Sequence, residues 1–370
     1  MSWRDSYYAI RDRWLTSPGF RRWASGFPLT RGTARRRARA LFDVCAGFVY
    51  SQILYACVRL KLFELLAREP LTDAAIAERL QLPLESTQRL LEAALSLRLV
   101  EERPQGRFGL GQLGAALVDN PSVAAMILHH RLLYSDLKDP VALLRGRLPD
   151  THLSAYWDYD PSTARCEAGA GSEDDYTQLM AASQALVAEE VLEAYSFRRH
   201  QLLMDVGGGD GSFIAAAAAR YPHLKFELFD LPAVAQRARE RFEATAFSDR
   251  TVVRPGDFLT DALPSGADVI SLIRVVHDHD DAPAAVLLKH AFDALPPKGV
   301  VLIAEPMLDT AGAEPVGGAY FGFYLLAMGR GRPRTPRMLK TLLVNAGFRK
   351  PRILWVRQPL QARVMVAYKS

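Results

Sequence analysis

The chain is poor in cysteine, with Cys45, Cys57 and Cys166 as its three, and no CxxC pair joins any of them. An odd, unspaced set excludes a closed disulfide framework and a cysteine-rich zinc module, so a reducing cytoplasm is the expected compartment. No signal peptide is read at the start, and there is no low-complexity tract or internal repeat. No uncharged run exceeds the 15 residues of Val44–Val58, short of the roughly 20 that a membrane-spanning helix needs. That run is expected to be a buried helix. At 370 residues, with 49% apolar and 24% charged, the chain reads as globular, with room for two domains.

Negative charge is scarce in the first 40 residues. Ten arginines stand there against Asp5 and Asp12, a balance of +8 in a chain whose total is +5. Trp3, Trp14 and Trp23 lie in the same arm. Arginine mixed with tryptophan suits an anionic membrane surface, where charge attracts and the indole settles at the interface. Arginine alone would suit nucleic acid, and an arm packed on a partner subunit fits as well.

Residues 41–69 carry apolar positions at helical spacing, among them Leu41, Val44, Phe48 and Ile53. A helix opened by Thr72 follows, then a break at Gln81-Leu-Pro83, a second helix through about Arg98, and a hairpin over Val100–Phe108. That order makes a winged helix. Its second helix offers Glu85, Arg89, Glu92 and Arg98, a balanced set that is poorly suited to phosphates, so no nucleic-acid partner is expected, and a helical scaffold that buries Phe48, Ile53 and Leu54 against another subunit fits better. Residues 119–172 are mixed, with Pro121, Pro140, Pro149 and Pro161, and Gly169-Ala-Gly-Ser172 reads as a joint before a helix over Glu173–Ser196.

Beyond it the rhythm changes. Apolar strands at Leu202–Val206, Phe226–Phe229, Thr251–Arg254, Val269–Val276 and Val300–Ala304 alternate with helical stretches at 212–220, 232–246 and 282–295. Alternation of this kind predicts an α/β, doubly wound parallel sheet. Lys350–Arg357 and Gln361–Tyr368 add an antiparallel edge hairpin.

Asp205-Val-Gly-Gly-Gly-Asp-Gly211 closes the first of these strands and opens a helix. Glycines there permit a sharp turn and close approach of a ligand to the main chain. A dinucleotide site would place glycine where Ser212 stands, so the pattern suits a ligand without a pyrophosphate. Asp230 ends the second strand and is placed to accept ribose hydroxyls; Asp257 and Phe258 end the third. Such folds bind ligands at this carboxyl edge.

The fourth strand runs into Val275-Val-His-Asp-His-Asp-Asp281. His277 there reads as a general base, since a neutral imidazole takes a proton near pH 7. A metal site built from His277, His279 and Asp281 and a plain solvated turn are the alternatives. The solvated turn is the preferred reading for His279, Asp280 and Asp281.

Taken together, residues 40–370 resemble class I S-adenosylmethionine (SAM) methyltransferases, specifically the plant-type small-molecule O-methyltransferases with an N-terminal winged-helix dimerisation domain. The resemblance implies a homodimer that uses SAM, releases S-adenosylhomocysteine and needs no metal. The expected layout is an arm over 1–40, a dimerisation domain over 41–118, connecting helices over 119–196 and a Rossmann-like SAM-binding domain over 197–370. By resemblance Asp205, Gly207, Gly209 and Gly211 hold the methionine end, Asp230 and Leu231 the ribose, and Asp257 and Phe258 the adenine; Arg274 belongs to the same cofactor set. His277 corresponds to the base, Asp278 to its partner in a His-Asp pair, and Glu305 to the acid that orients it. The pattern departs at His279, where the family usually has Trp, and at Pro333, where a second orienting Glu is expected.

The segments from Phe20 to Gln52 and Tyr324-Leu-Leu-Ala-Met-Gly-Arg-Gly-Arg-Pro-Arg-Thr335 further resemble the hydroxyneurosporene (demethylspheroidene) O-methyltransferases of purple photosynthetic bacteria. This implies methylation of the tertiary hydroxyl of an acyclic 1-hydroxycarotenoid, with a peripheral contact at the inner or photosynthetic membrane. Small and aromatic residues over Gly317–Met328 suit an apolar channel or ordinary helix packing; Phe321, Tyr324 and Met328 are the candidate substrate residues. The same chemistry on a phenol or polyketide, and a SAM-responsive regulator, are the competing functions.

Overall fold

A computed structural model of the chain describes residues 3–148, 150–156, 184 and 187–370. They form two units, Met1–Asp119 and Asn120–Ser370.

The first unit opens with helices Trp3–Thr16 and Pro18–Gly26. Ser17 caps the second by accepting the Phe20 N–H at 3.4 Å, with Pro18 at the first helical position, where no N–H is needed. Helix Arg31–Arg59 then runs 29 residues and passes residue 40 without a break. Lys61, in the left-handed region at φ 55°, turns the chain into helix Leu62–Arg68. Strand β1 (Leu71–Thr72), helices Asp73–Leu80 and Leu84–Ser96, and the hairpin of β2 (Val100–Arg103) with β3 (Arg107–Leu110) complete the unit, its sheet ordered β1-β3-β2. Thr72 caps the first of these helices at Ala75 N–H, 3.3 Å away, and Arg89 is paired with Glu85 of its own helix at 2.6 Å.

The expected burial of the Val44–Val58 run is not met within the single chain. Only Cys57 and Val58 of helix Arg31–Arg59 are buried, whereas Leu41, Val44 and Phe48, spaced along one face, are 73%, 81% and 72% exposed. The apolar face finds little cover among the described residues of its own unit, so the run is no buried helix in the single chain. The whole helix is also long and apolar enough, by length and composition alone, to cross a membrane.

The second unit is built on a seven-stranded sheet. Its strands are β4 (Leu202–Val206), β5 (Lys225–Asp230), β6 (Thr251–Pro255), β7 (Val269–Ile273), β8 (Val300–Glu305), β9 (Arg349–Ile353) and β10 (Arg363–Tyr368). The order is β6-β5-β4-β7-β8-β10-β9. Strands β6 to β8 are parallel; β10 is antiparallel to β8 and to β9. This is the expected doubly wound, Rossmann-like sheet. Because side chains alternate across a strand, Leu203, Phe226 and Leu228 pack with Phe213, Ile214 and Ala217 of helix Ser212–Arg220. Met204, Ile270 and Ile303 pack on the other face with Leu287, Leu288, Leu339 and Leu343.

Two boundaries moved. β7 stops at Ile273 rather than Val276, because Arg274 adopts φ 58° and residues Val276–Asp278 form a 3₁₀ turn. In the terminal hairpin only β9 is an edge; β10 lies inside it, with Arg363 opposite Glu305. The joint at Gly169–Ser172, Pro149, Pro161, Cys166 and the first part of the helix expected over Glu173–Ser196 lie outside the described residues; residues 187–194 are helical.

Candidate functional site

Register brings the expected residues to one edge of the sheet. Val206 pairs with Phe229, Asp230 with Pro255 and Ile273 with Ala304. Gly207, Asp230, Gly256, Arg274 and Glu305 therefore follow or end neighbouring strands.

The glycine bend is formed by necessity. Gly207, Gly209 and Gly211 have φ of 67°, 60° and 79°, where side chains are disfavoured. A Cβ on Gly211 would lie 2.0 Å from the Phe242 ring, whereas one on Gly209 would meet nothing within 4 Å. Asp205 sits beneath the bend, 1% exposed, and accepts the Ser271 hydroxyl at 2.5 Å. Asp230 accepts the Gly209 N–H and the Leu231 N–H, each at 2.8 Å. Loss of hydration pushes both carboxyls up, Asp205 to about 7 and Asp230 to about 6, despite those hydrogen bonds. Asp257 accepts the Leu259 N–H at 2.8 Å, and the Phe258 ring stands edge-on to His279 at 5.2 Å.

His277 is 2% exposed in the 3₁₀ turn after β7. Its Nε2 is 3.3 Å from Asp278 Oδ1. Its Nδ1 meets no acceptor in hydrogen-bonding geometry among the described residues, although the main chain of Arg274 lies near enough to favour the protonated ring. Glu305 grips the turn rather than the ring: its Oε2 accepts the His277 main-chain N–H at 3.0 Å, and its Oε1 is buried without a partner among the described residues. Burial, then the charges of Arg274, Arg334 and His279, lower the imidazole to about 3. Burial raises Glu305 to about 8 and moves Asp278 upward, against the pull of Arg274.

The solvated turn expected at 279–281 is only partly found. His279 is half-buried and lowered to about 4, chiefly by desolvation, while Asp281, exposed, receives Arg334 Nε at 2.9 Å. Among the described residues no group of three His, Cys, Asp or Glu is arranged to hold a metal ion.

A ring wall adjoins the imidazole. Phe321, in a π-helical turn over Val316–Phe321, has its centroid 5.8 Å from that of His277, a place where π turns recur. Tyr324 and Met328, on helix Gly322–Met328, are buried with Leu132, Leu133 and Leu143. Two histidines passed over in the sequence face this wall: His129 Nε2 lies 2.8 Å from the Tyr324 hydroxyl, and His130 Nε2 lies 2.7 Å from that of Tyr320. The only signal was a His-His doublet inside an apolar helix, Pro121–Asp136.

A doubly wound sheet with a glycine bend after its first strand and an acid at the end of the next is the frame of a nucleoside-binding enzyme. The O-methyltransferase domain family matches residues 134–349 and the O-methyltransferase dimerisation domain family matches residues 42–120. The chain belongs to the SAM-dependent O-methyltransferases of this two-domain type. It is 39% identical over 352 residues to the demethylspheroidene O-methyltransferase of Cereibacter sphaeroides, covering 94% of this chain and 91% of that one. It is 40% identical over 323 residues to its namesake from Rhodobacter capsulatus, covering 87% and 80%. Human N-acetylserotonin methyltransferase in complex with SAM superposes with a TM-score of 0.72 at 26% identity, over 90% of this chain and 98% of that one.

Proposed function

We propose that this enzyme methylates the tertiary hydroxyl of an acyclic 1-hydroxycarotenoid, with His277 as general base. The observation that carries the chemistry is a neutral, buried imidazole at the sheet edge, beside an aromatic ring and one strand from the glycine bend. The substrate class rests on the demethylspheroidene-methylating relatives.

The bend fits the cofactor. The Cβ direction of Gly209 is open space, and a carboxylate offers about four lone-pair sites, so Asp230 keeps acceptor capacity beyond its two main-chain N–H bonds. When bound, SAM supplies an electrophilic methyl carbon. Gly207, Gly209, Gly211, Asp205, Asp230 and Leu231 hold its methionine and ribose portions, Asp257 and Phe258 its adenine, and Arg274 adds charge at the same edge.

A tertiary alcohol is much less acidic than a phenol at about 10, so His277 forms no free alkoxide beforehand. It would take the hydroxyl proton as the new C–O bond forms and the methyl carbon–sulfur bond breaks, which leaves S-adenosylhomocysteine. Asp278 steadies the imidazolium, Glu305 fixes the turn, and alignment supplies much of the rate. Phe321, Tyr324 and Met328 line the apolar side. Two further assignments belong to this reading. Leu41, Val44 and Phe48 are covered by the same face of a second copy, forming a homodimer, as the dimerisation-domain match supports. The arm, with Trp3, Trp14 and Trp23 exposed among its arginines, rests on an anionic cytoplasmic membrane face.

A substrate panel tests the assignment. Purified enzyme with labelled SAM should methylate 1-hydroxy acyclic carotenoids in detergent; turnover of phenols or polyketides alone would move it to that second class.

A further inference from the structure

Arg334 is wholly buried, yet it lies in neither the glycine bend nor the aromatic wall. Its guanidinium spans the turn that carries His277. Nη1 donates to the Val276 carbonyl at 2.8 Å, Nη2 to the His279 carbonyl at 2.7 Å, and Nε to Asp281 Oδ1 at 2.9 Å. The carbonyls on both sides of His277 are thus held by one rigid fork. The residues before it close the grip. Arg332 N–H donates to the His277 carbonyl at 2.8 Å, and a Cβ on Gly331, at φ 80°, would lie 2.4 Å from that same oxygen. The Arg334 carbonyl accepts the Leu308 N–H at 3.0 Å, and Thr335 caps helix Pro336–Asn345 at Met338 N–H, 3.1 Å away. The fork is therefore anchored at its own base.

We infer that Arg334 is a positioning residue for methyl transfer, its guanidinium fixing the Val276–His279 turn so that the imidazole stays at the reacting edge. The inference rests on the reading of His277 as base. A lysine would keep the charge but lacks a planar fork able to reach two carbonyls and a carboxylate at once. Arg334 also places a fixed positive charge near the ring. The other charged or titratable groups that face His277 are Arg274, Asp278 and His279 from its own turn and Glu305 from β8; Phe321 contributes an uncharged ring.

Arg334→Gln and Arg334→Lys in the full-length enzyme test this, beside His277→Ala. Turnover of a 1-hydroxycarotenoid should fall about 100-fold in Arg334→Gln, with KM changed by less than about threefold and S-adenosylhomocysteine titration and melting temperature near the parent's. Guanidinium chloride should restore part of that turnover and none in His277→Ala. In histidine-labelled protein the His277 ring, assigned by its loss in His277→Ala, should titrate about one pH unit higher in Arg334→Gln and unmoved in Arg334→Lys. If the glutamine variant does not fold, Arg334→Lys decides: turnover down about tenfold or more with cofactor titration intact supports the role, and parental turnover overturns it. Equal losses of turnover, cofactor affinity and melting temperature without rescue overturn it as well. His277→Ala at full turnover sinks the base reading and the inference that rests on it; His277→Ala inactive with Arg334→Gln at full turnover sinks the positioning role alone.

Discussion

Replacing His277 by alanine is the sharpest perturbation of this site. The imidazole is 2% exposed and, with burial and two neighbouring guanidinium groups against its charged form, is lowered to about 3. It is therefore neutral and competent as a base above that value, and loses competence only as pH falls toward it. A positioned general base is worth about 10²–10⁴ in rate, or about 2.7–5.5 kcal/mol of barrier at about 1.36 kcal/mol per decade. The alanine variant should lose turnover in that range while S-adenosylhomocysteine still titrates by calorimetry with the parent's affinity. The assay is transfer of a labelled methyl group from SAM into extracted carotenoid. Across about pH 6 to 8, where an ordinary histidine changes charge, the His277 ring of histidine-labelled parent enzyme should not titrate. A variant that keeps more than half of the parent's kcat, or a His277 ring titrating near 6.5, would refute the reasoning.

The bend offers a paired test by thermal unfolding and ligand titration. Gly211→Ala, with its Cβ driven into the Phe242 ring at φ 79°, should cost about 2–4 kcal/mol of stability. Gly209→Ala meets nothing within 4 Å among the described residues and should cost about 1 kcal/mol while weakening S-adenosylhomocysteine about tenfold. Phe48→Glu, on the exposed face of helix Arg31–Arg59, should shift sedimentation velocity from dimer to monomer; a dimer of unchanged strength would remove that face from the interface. Deleting residues 1–30 should reduce co-sedimentation with anionic vesicles, each lost arginine being worth about 1 kcal/mol near such a surface, and leave cofactor titration intact. Equal sedimentation of the two forms would discard the membrane role.

The glycine bend was legible because glycine is the residue that takes φ near 60–80° without steric cost, here at three alternate positions, and no distant residue is needed to infer it. The order of the strands was legible for a similar reason: each is a short apolar run between turns. The end of β7 was not, since nothing in the composition of Ile273-Arg274-Val275 marks a left-handed arginine; that conformation is fixed by the strand's neighbours. Nor was the grip of Arg334, which reaches 58 residues back to Val276, or the pairing of His129 with Tyr324 across 195 residues. Spacing along a chain carries local geometry, and these contacts are made by packing. Burial of the run Val44–Val58 was legible only in part, for the opposite reason. Apolar periodicity states that a face must be covered, and is silent on which chain covers it.

One physical cause links the two halves of the site. Loss of hydration opposes any charge, so the same burial raises Asp205, Asp230 and Glu305 to about 7, 6 and 8 and lowers His277 to about 3. The edge of the sheet thus holds acids poised near neutrality beside a base that stays unprotonated. A cation seated at the bend would favour the ionised carboxylates, and their negative charge would offset its own. In the proposed function the imidazole, set farther along the edge, is kept neutral by burial and then by Arg274 and Arg334 until a hydroxyl proton is given up. Were the site open to water, the carboxyls would ionise and the histidine would titrate near its ordinary value, and the division into a cation-receiving side and a proton-accepting side would be lost. On the proposed function it is the buried, close-packed edge, more than the identity of any single residue, that would let one strand-end arrangement serve both.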